Sequence, residues 1–195
     1  GYRDILLSLW RATSGGTSFA DGRLRLFRGL PDGAFASVSD PAIDSVTVGL
    51  PTGIAAGDFD RDGDLDLYVG MWRGGTPGDA TRNRLLVNDG GLRFLDRGAQ
   101  LGVDDNKKSY QPVFADLSGD GWPDIYVAND ARPNQLWINQ GDGRFSDEAF
   151  FSGAAVNMAG AAEGSMGIGA GDFDNDGDPD LFMTHLTGET NTIYV

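Results

Sequence analysis

DFDRDGDLD, from Asp58 to Asp66, is a loop of alternating carboxylates, and two further stretches repeat it: DLSGDGWPD from Asp116 to Asp124 and DFDNDGDPD from Asp172 to Asp180. Carboxylates at every second position of a tight turn repel one another unless a hard cation sits among them. Ligation by oxygen alone, with no Cys or His in the loop, suits calcium better than a transition metal. A single loop of this kind could be a solvated acidic turn; three in one register argue for metal sites.

An EF-hand would place a bidentate Glu at position 12 and a helix on each side. Position 12 here is Val69, Val127 or Met183, none of which can ligate calcium. Each loop instead carries an Asp at position 9 followed by β-favouring residues: LYV after Asp66, IYVA after Asp124, LFM after Asp180. The loop therefore joins two strands. Side chains at positions 1, 3, 5 and 9 and the carbonyl of position 7 can close on one ion, with glycine at position 6 (Gly63, Gly121, Gly177) allowing the turn. This assigns Asp58, Asp60, Asp62 and Asp66 with the carbonyl of Asp64 to the first site. Asp116, Ser118, Asp120 and Asp124 with the carbonyl of Trp122 form the second, and Asp172, Asp174, Asp176 and Asp180 with the carbonyl of Asp178 the third. Ser118 supplies a neutral hydroxyl where the others have a carboxylate, so the second site is expected to bind most weakly.

The loops recur at near-constant spacing, which marks a repeat architecture. Before each stands a small, Gly-rich apolar stretch (TGIAAGDF at 52–59, QPVFADL at 111–117, MGIGAGDF at 166–173), expected to be a crowded buried strand. Third strands are read at RLRLFRGLPDG from Arg23, NRLLVNDG from Asn83 and NQLWINQGDG from Asn134, and fourth strands at GAFASVSD, GLRFLDRG and GRFSDEAF. Four antiparallel strands per repeat make a propeller blade. Gly1 to Asp4 fit positions 6 to 9 of a fourth loop, and NTIYV from Asn191 fits a third strand. The expected division is an incomplete blade over 1–49, blades over 50–107 and 108–163, and an incomplete blade over 164–195. The fold class expected is all-β: a partial β-propeller, an open arc of about three to four blades, since closing a ring takes four to eight.

Thirteen of the 29 acidic residues lie inside the three loops, so the formal charge of −14 describes metal sites more than a surface for a basic partner. Three calcium ions would reduce it to about −8. The basic stripe that nucleic acid requires is missing. With no cysteine there is no disulfide framework, and calcium is expected to supply the stapling. Sites of this kind fill where free calcium is high, hence an extracellular, cell-surface or periplasmic location, and no membrane insertion within this chain.

Recognition is expected from loops beside the metal sites. Trp72, Arg73 and Asp79 lie in one polar loop after a second strand; Asn129, Asp130 and Arg132, and His185 with Glu189, occupy the matching places. One face carrying these loops is the candidate surface for a protein or glycan ligand. Trp137 alternates with apolar residues and is read as core. The lone histidine, His185, has no second His or Cys to complete a nucleophile and base pair, and is read as a polar loop residue. No catalytic residue is assigned and the chain is not expected to be an enzyme.

With these motifs in place the chain resembles the FG-GAP/VCBS repeat family, the calcium-loop propeller repeats of integrin α-subunits and many secreted bacterial proteins, over essentially its whole length. The runs GAGDFDNDGDPDLF and VANDARPNQLWINQGDGRFSD are most similar to the cartilage acidic protein and ASPIC/UnbV group. The resemblance implies a seven-bladed or similar propeller, calcium in the strand-connecting loops, and extracellular binding or adhesion. Ser118 and the shortened loop at Asp4 depart from the pattern. The function expected is a calcium-binding repeat module of an extracellular propeller protein; the alternative is the propeller portion of a secreted calcium-dependent hydrolase or lyase. The rest of a larger propeller is the expected structural partner.

Overall fold

The computed structural model describes residues 3–12, 19–46, 49–72 and 82–195. Among these residues four antiparallel sheets follow one another, each an up-and-down meander in chain order. The first contains β1 (Ile5–Ala12), β2 (Phe19–Gly29) and β3 (Phe35–Val38), and the second β4 (Pro51–Gly57), β5 (Asp66–Met71), β6 (Arg84–Asn88) and β7 (Phe94–Asp96). The third contains β8 (Ser109–Ala115), β9 (Asp124–Asn129), β10 (Gln135–Asn139) and β11 (Phe145–Asp147), and the fourth β12 (Ser165–Gly171), β13 (Asp180–His185) and β14 (Thr192–Tyr194). Among the described residues two short helices, α1 (Pro41–Asp44) and α2 (Gly98–Leu101), follow β3 and β7. No helix among the described residues is long and apolar enough to cross a membrane.

Apolar layers fill the spaces between successive sheets. Along β5, Leu67, Val69 and Met71 join Leu24, Leu26 and Ile43 in the layer facing the first sheet. Tyr68 points the other way, joining Leu85, Ile125 and Val127 in the layer facing the third. Tyr126 and Ala128 of β9 likewise meet Leu181 and Met183 of β13. The continuous apolar runs LYV and IYVA follow from this, because a strand buried on both faces needs no polar alternation. The tyrosine hydroxyls are satisfied in parallel ways: Tyr68 donates to the Val103 carbonyl (2.7 Å) and Tyr126 to the Ala154 carbonyl (2.6 Å).

The strands before the three loops, β4, β8 and β12, expected to be crowded and buried, are mostly only half-buried, and the small residues of β4 have a steric cause. A methyl group on Gly53 would come within 2.3 Å of the Tyr110 carbonyl oxygen, and one on Gly57 within 2.6 Å of the Phe114 ring. At Gly53 the backbones of β4 and β8 therefore meet at a distance only glycine permits, and at Gly57 the Phe114 side chain takes the space a Cβ would need. The outer strands β7 and β11 are only three residues long, shorter than the stretches GLRFLDRG and GRFSDEAF suggest. In the second repeat the chain turns instead into α2.

Two side-chain contacts recur or bridge sheets that the sequence reading did not anticipate. In the last three sheets the Asn opening the third-strand motif accepts from the amide of the last residue of the second strand: Asn83 from Met71 (2.8 Å), Asn134 from Asn129 (2.9 Å), Asn191 from His185 (3.1 Å). Asp40, 4 % exposed, caps α1 through the amides of Ala42 and Ile43 and accepts the Phe94 amide of the neighbouring sheet (3.0 Å).

Candidate metal centres

Each acidic loop is closed at its base by one strand pair: Gly57 with Asp66, Ala115 with Asp124, Gly171 with Asp180. Beyond that pair the position-1 carboxylate organises the turn by accepting backbone amides. Asp58 accepts from Asp62 and Gly63 (3.0 and 3.1 Å), Asp116 from Asp120 and Gly121 (3.1 and 2.8 Å), and Asp172 from Asn175 and Gly177 (2.6 and 3.2 Å). Position 6 has positive φ in every loop, 95° at Gly63, 91° at Gly121 and 102° at Gly177. Position 4 does too, at 60° for Arg61, 74° for Gly119 and 66° for Asn175. Gly and Asn at position 4 of two loops were the available signal for this second left-handed residue, and the sequence reading passed over it.

The position-9 aspartates are buried, with Asp66 and Asp124 fully closed off and Asp180 nearly so. Asp66 accepts the Phe59 amide on Oδ2 (3.2 Å) and the Asn88 amide on Oδ1 (2.9 Å). Asp124 accepts the Leu117 and Ser118 amides on Oδ2 (2.9 Å each) and the Asn139 amide on Oδ1 (2.8 Å). Asp180 accepts the Phe173 amide on Oδ2 (2.6 Å). Asp4 makes the corresponding bond in the first sheet, its Oδ1 taking the amide of Gly29 at the end of β2 (2.9 Å). In the first two loops position 9 is thus a latch between the loop, the second strand and the end of the third, a role its ligand spacing did not disclose.

The carboxylates are crowded. Among the described residues, carboxylate oxygens of Asp58, Asp60 and Asp66 lie within 4.8 Å of one another, as do those of Asp172, Asp174 and Asp176. Burial pushes the Asp66 carboxyl up to about 7 against the Asn88 and Phe59 amides, with Asp60 and Asp62 adding to the rise. Burial and then the charges of Asp62 and Asp58 raise Asp60. At Asp174 the Asp176 amide lowers the pKa, but desolvation and the charges of Asp176, Asp180 and Asp172 outweigh it. Such sites hold too much negative charge for their own solvation, which a cation relieves.

The second loop does not bring three carboxylates together in this way. Ser118 removes one carboxylate, and the Asp124 carboxyl is turned onto three backbone amides, with its pKa raised by burial and lowered in part by those bonds. All three donor sets are oxygen-only, and the carbonyls of Asp64, Trp122 and Asp178 accept no hydrogen bond from another described residue. That chemistry fits calcium.

The structure changes the predicted recognition face. Trp72 donates from Nε1 to Asp130 Oδ2 (2.8 Å) and stands edge-on to Tyr110 (6.1 Å), so two residues read as free contacts hold the second and third sheets together. Asn129 is fully buried at the end of β9, where it accepts from Ser109 (2.8 Å). His185 is no loop residue: it pairs with Ser165 as the last residue of β13, and its side chain, 2 % exposed, lies 3.4 Å from Glu163. Glu189 accepts the Gly164 amide (2.9 Å), while Arg132 is exposed. Arg73 and Asp79 lie outside the described residues. Trp137 packs against the layer between the second and third sheets, as its strand position predicts.

The family model of the FG-GAP-like repeat matches residues 1–69 and 116–183, more than half of the chain. No curated protein matches it.

Proposed function

Because the chain belongs to the FG-GAP-like repeat family, we propose that it is a calcium-stiffened blade module of an extracellular, cell-surface or periplasmic propeller protein that presents loops to a protein or glycan ligand. The observation that carries the reading is the gathering of Asp58, Asp60 and Asp66 within 4.8 Å around a carboxyl pushed up to about 7. In the calcium form, Asp58, Asp60, Asp62 and Asp66 hold the first ion, Asp116, Ser118, Asp120 and Asp124 the second, and Asp172, Asp174, Asp176 and Asp180 the third. The ion supplies positive charge and a fixed coordination shell; the chain supplies the turn and the latch.

The module is proposed to bind rather than catalyse, and the closed surroundings of His185 beside Glu163 support that. The narrower kinship, with the cartilage acidic protein and ASPIC/UnbV group, rests on the two sequence runs quoted above. A larger array, of which this chain forms an open arc, has support in the sheet faces. Phe59, Tyr68 and Leu85 are at most 4 % exposed where the third sheet covers them. Their counterparts on the fourth sheet, Phe173, Phe182 and Ile193, are 50, 41 and 53 % exposed. A further blade of the same kind fits that face.

Isothermal titration of the chelator-stripped chain with calcium, alongside thermal unfolding in calcium and in EGTA, tests the proposal. About three ions and a raised Tm are expected; each site at ten- to hundredfold excess over Kd adds about 1.4 to 2.7 kcal/mol. Absence of both heat and stabilisation would end the reading.

A further inference from the structure

The second loop, poorest in carboxylates, is joined to the first by two separate contacts. Asn139 ends β10 and is 2 % exposed. Its backbone amide donates to Asp124 Oδ1 (2.8 Å), and its side-chain Nδ2 donates to the carbonyl of Phe59 (2.8 Å), a residue of the first loop. Phe59 in turn donates its amide to Asp66 Oδ2 (3.2 Å). Hydrogen bonds therefore run from the latch carboxylate of the first loop to that of the second through Phe59 and Asn139.

The other contact lies nearer the loop tips. Arg61, between the assigned ligands Asp60 and Asp62, places its guanidinium carbon 5.0 Å from the centre of the Trp122 ring. Trp122 is the residue whose carbonyl is assigned to the second site. Its indole is backed by Gly141, where a methyl group would come within 2.6 Å of the ring nitrogen. The second and third loops cannot repeat this contact, since position 4 of the second is Gly119 and position 7 of the third is Asp178.

We propose that Asn139 and Arg61 are positioning residues that couple the first two loops, so that calcium in either raises the affinity of the other. The inference rests on the calcium reading. With an ion held in the first loop, Asp66, Phe59 and Arg61 would be fixed, and with them Asn139 and Trp122, so the second loop would have less ordering left to do on binding its own ion. The effect is reciprocal by linkage, and coupling of this kind is typically 5- to 150-fold. Direct repulsion between two bound cations has the opposite sign, so a positive coupling must be carried by the protein, and the substitutions below test whether these two contacts carry it.

Terbium luminescence sensitised by Trp122 reads the second loop, with calcium affinity taken from displacement of terbium and Trp122→Phe as the control for the signal. Disabling the first loop with Asp60→Asn is expected to weaken calcium binding at the second about fivefold. The same substitution made together with Asn139→Ala and Arg61→Ala is expected to change it less than twofold relative to that double background. Asn139→Ala keeps the backbone bond to Asp124; should it disturb folding, Arg61→Ala alone, on an exposed side chain, is expected to reduce the coupling partially. Calcium binding that is equally strong with and without an intact first loop would overturn the coupling and leave the calcium reading standing. An equal loss in both backgrounds would overturn the assignment to Asn139 and Arg61. Absence of calcium displacement in the unmodified chain would overturn both.

Discussion

Asp66→Asn separates the two roles of the position-9 carboxylate. Without calcium, both Asp66 oxygens accept amide hydrogens, from Phe59 and Asn88. Asparagine offers one oxygen, so one buried amide is left facing an NH2 group, at roughly 1–3 kcal/mol. Against this, the substitution removes a charge that burial disfavours strongly enough to push the carboxyl up to about 7. These effects oppose, and at pH 8 in EGTA the net change should stay within about 2 kcal/mol. With calcium at a hundredfold excess over Kd, the unmodified first loop contributes about 2.7 kcal/mol that the variant lacks. For a chain of this size 1 kcal/mol moves Tm by roughly 2–4 °C, so the calcium-induced rise in Tm should be smaller in the variant by about 5–10 °C. Differential scanning calorimetry of both proteins in EGTA and in calcium measures that increment directly, whatever the calcium-free offset. Equal increments would refute the reasoning and leave Asp66 as a latch alone.

Stability of the calcium-free protein should fall as pH rises from about 4 to about 7. The folded state binds the Asp66 proton more tightly than the unfolded chain does, and Asp60, Asp105 and Asp124, also raised by burial, act in the same sense. Calcium requires the ionised form and should reverse that slope, so a Tm rising with pH in EGTA would contradict the electrostatic account. Ser118→Asp restores the missing carboxylate and should tighten calcium binding at the second loop by roughly tenfold, about 1.4 kcal/mol, in a calorimetric titration. Tyr68→Phe removes the donor to the buried Val103 carbonyl. It should lower stability to urea by about 1–2 kcal/mol equally with and without calcium, and a calcium-dependent loss would tie that contact to the loops instead.

The loops and their place between two strands were legible in the sequence because each depends on residues within about a dozen positions; that the strand after the loop, not the one before it, is the fully buried one was not, since burial is set by the neighbouring sheets. The contacts that set the site's surroundings were not, since they join residues far apart in the chain. Asn139 reaches Phe59 across 80 positions, Trp72 reaches Asp130 across 58, and Asp40 reaches Phe94 across 54. A tryptophan in a polar loop and an aspartate in the matching loop read as free surface until the sheets are stacked. His185 misled for a related reason: pairing with Ser165 carries β13 on through Thr184 to a histidine that has no strand signature of its own. The Asn at the head of the last three third-strand motifs was visible as a repeat, but its purpose needs the second strand's final amide beside it.

The latch explains why a loop ion would matter to a whole blade. If position 9 were only a ligand, calcium would order a surface turn and little else, because turns at the tip of a hairpin are thermodynamically shallow. Asp66 instead opens β5 and pairs with Gly57 of β4, and its other oxygen holds the end of β6. Fixing that carboxylate therefore fixes the corner where three of the four strands of the second sheet converge. The residue next along β5, Leu67, packs toward the first sheet, and the following one, Tyr68, toward the third. Melting the loop thus exposes apolar surface in two layers at once, and a gain in order at the loop is felt there as well. The arrangement also sets a limit on the third site. Asp180 has its bond to Phe173, but Phe173 is half exposed where Phe59 is buried, so the same ion should stabilise the fourth sheet less until that face is covered.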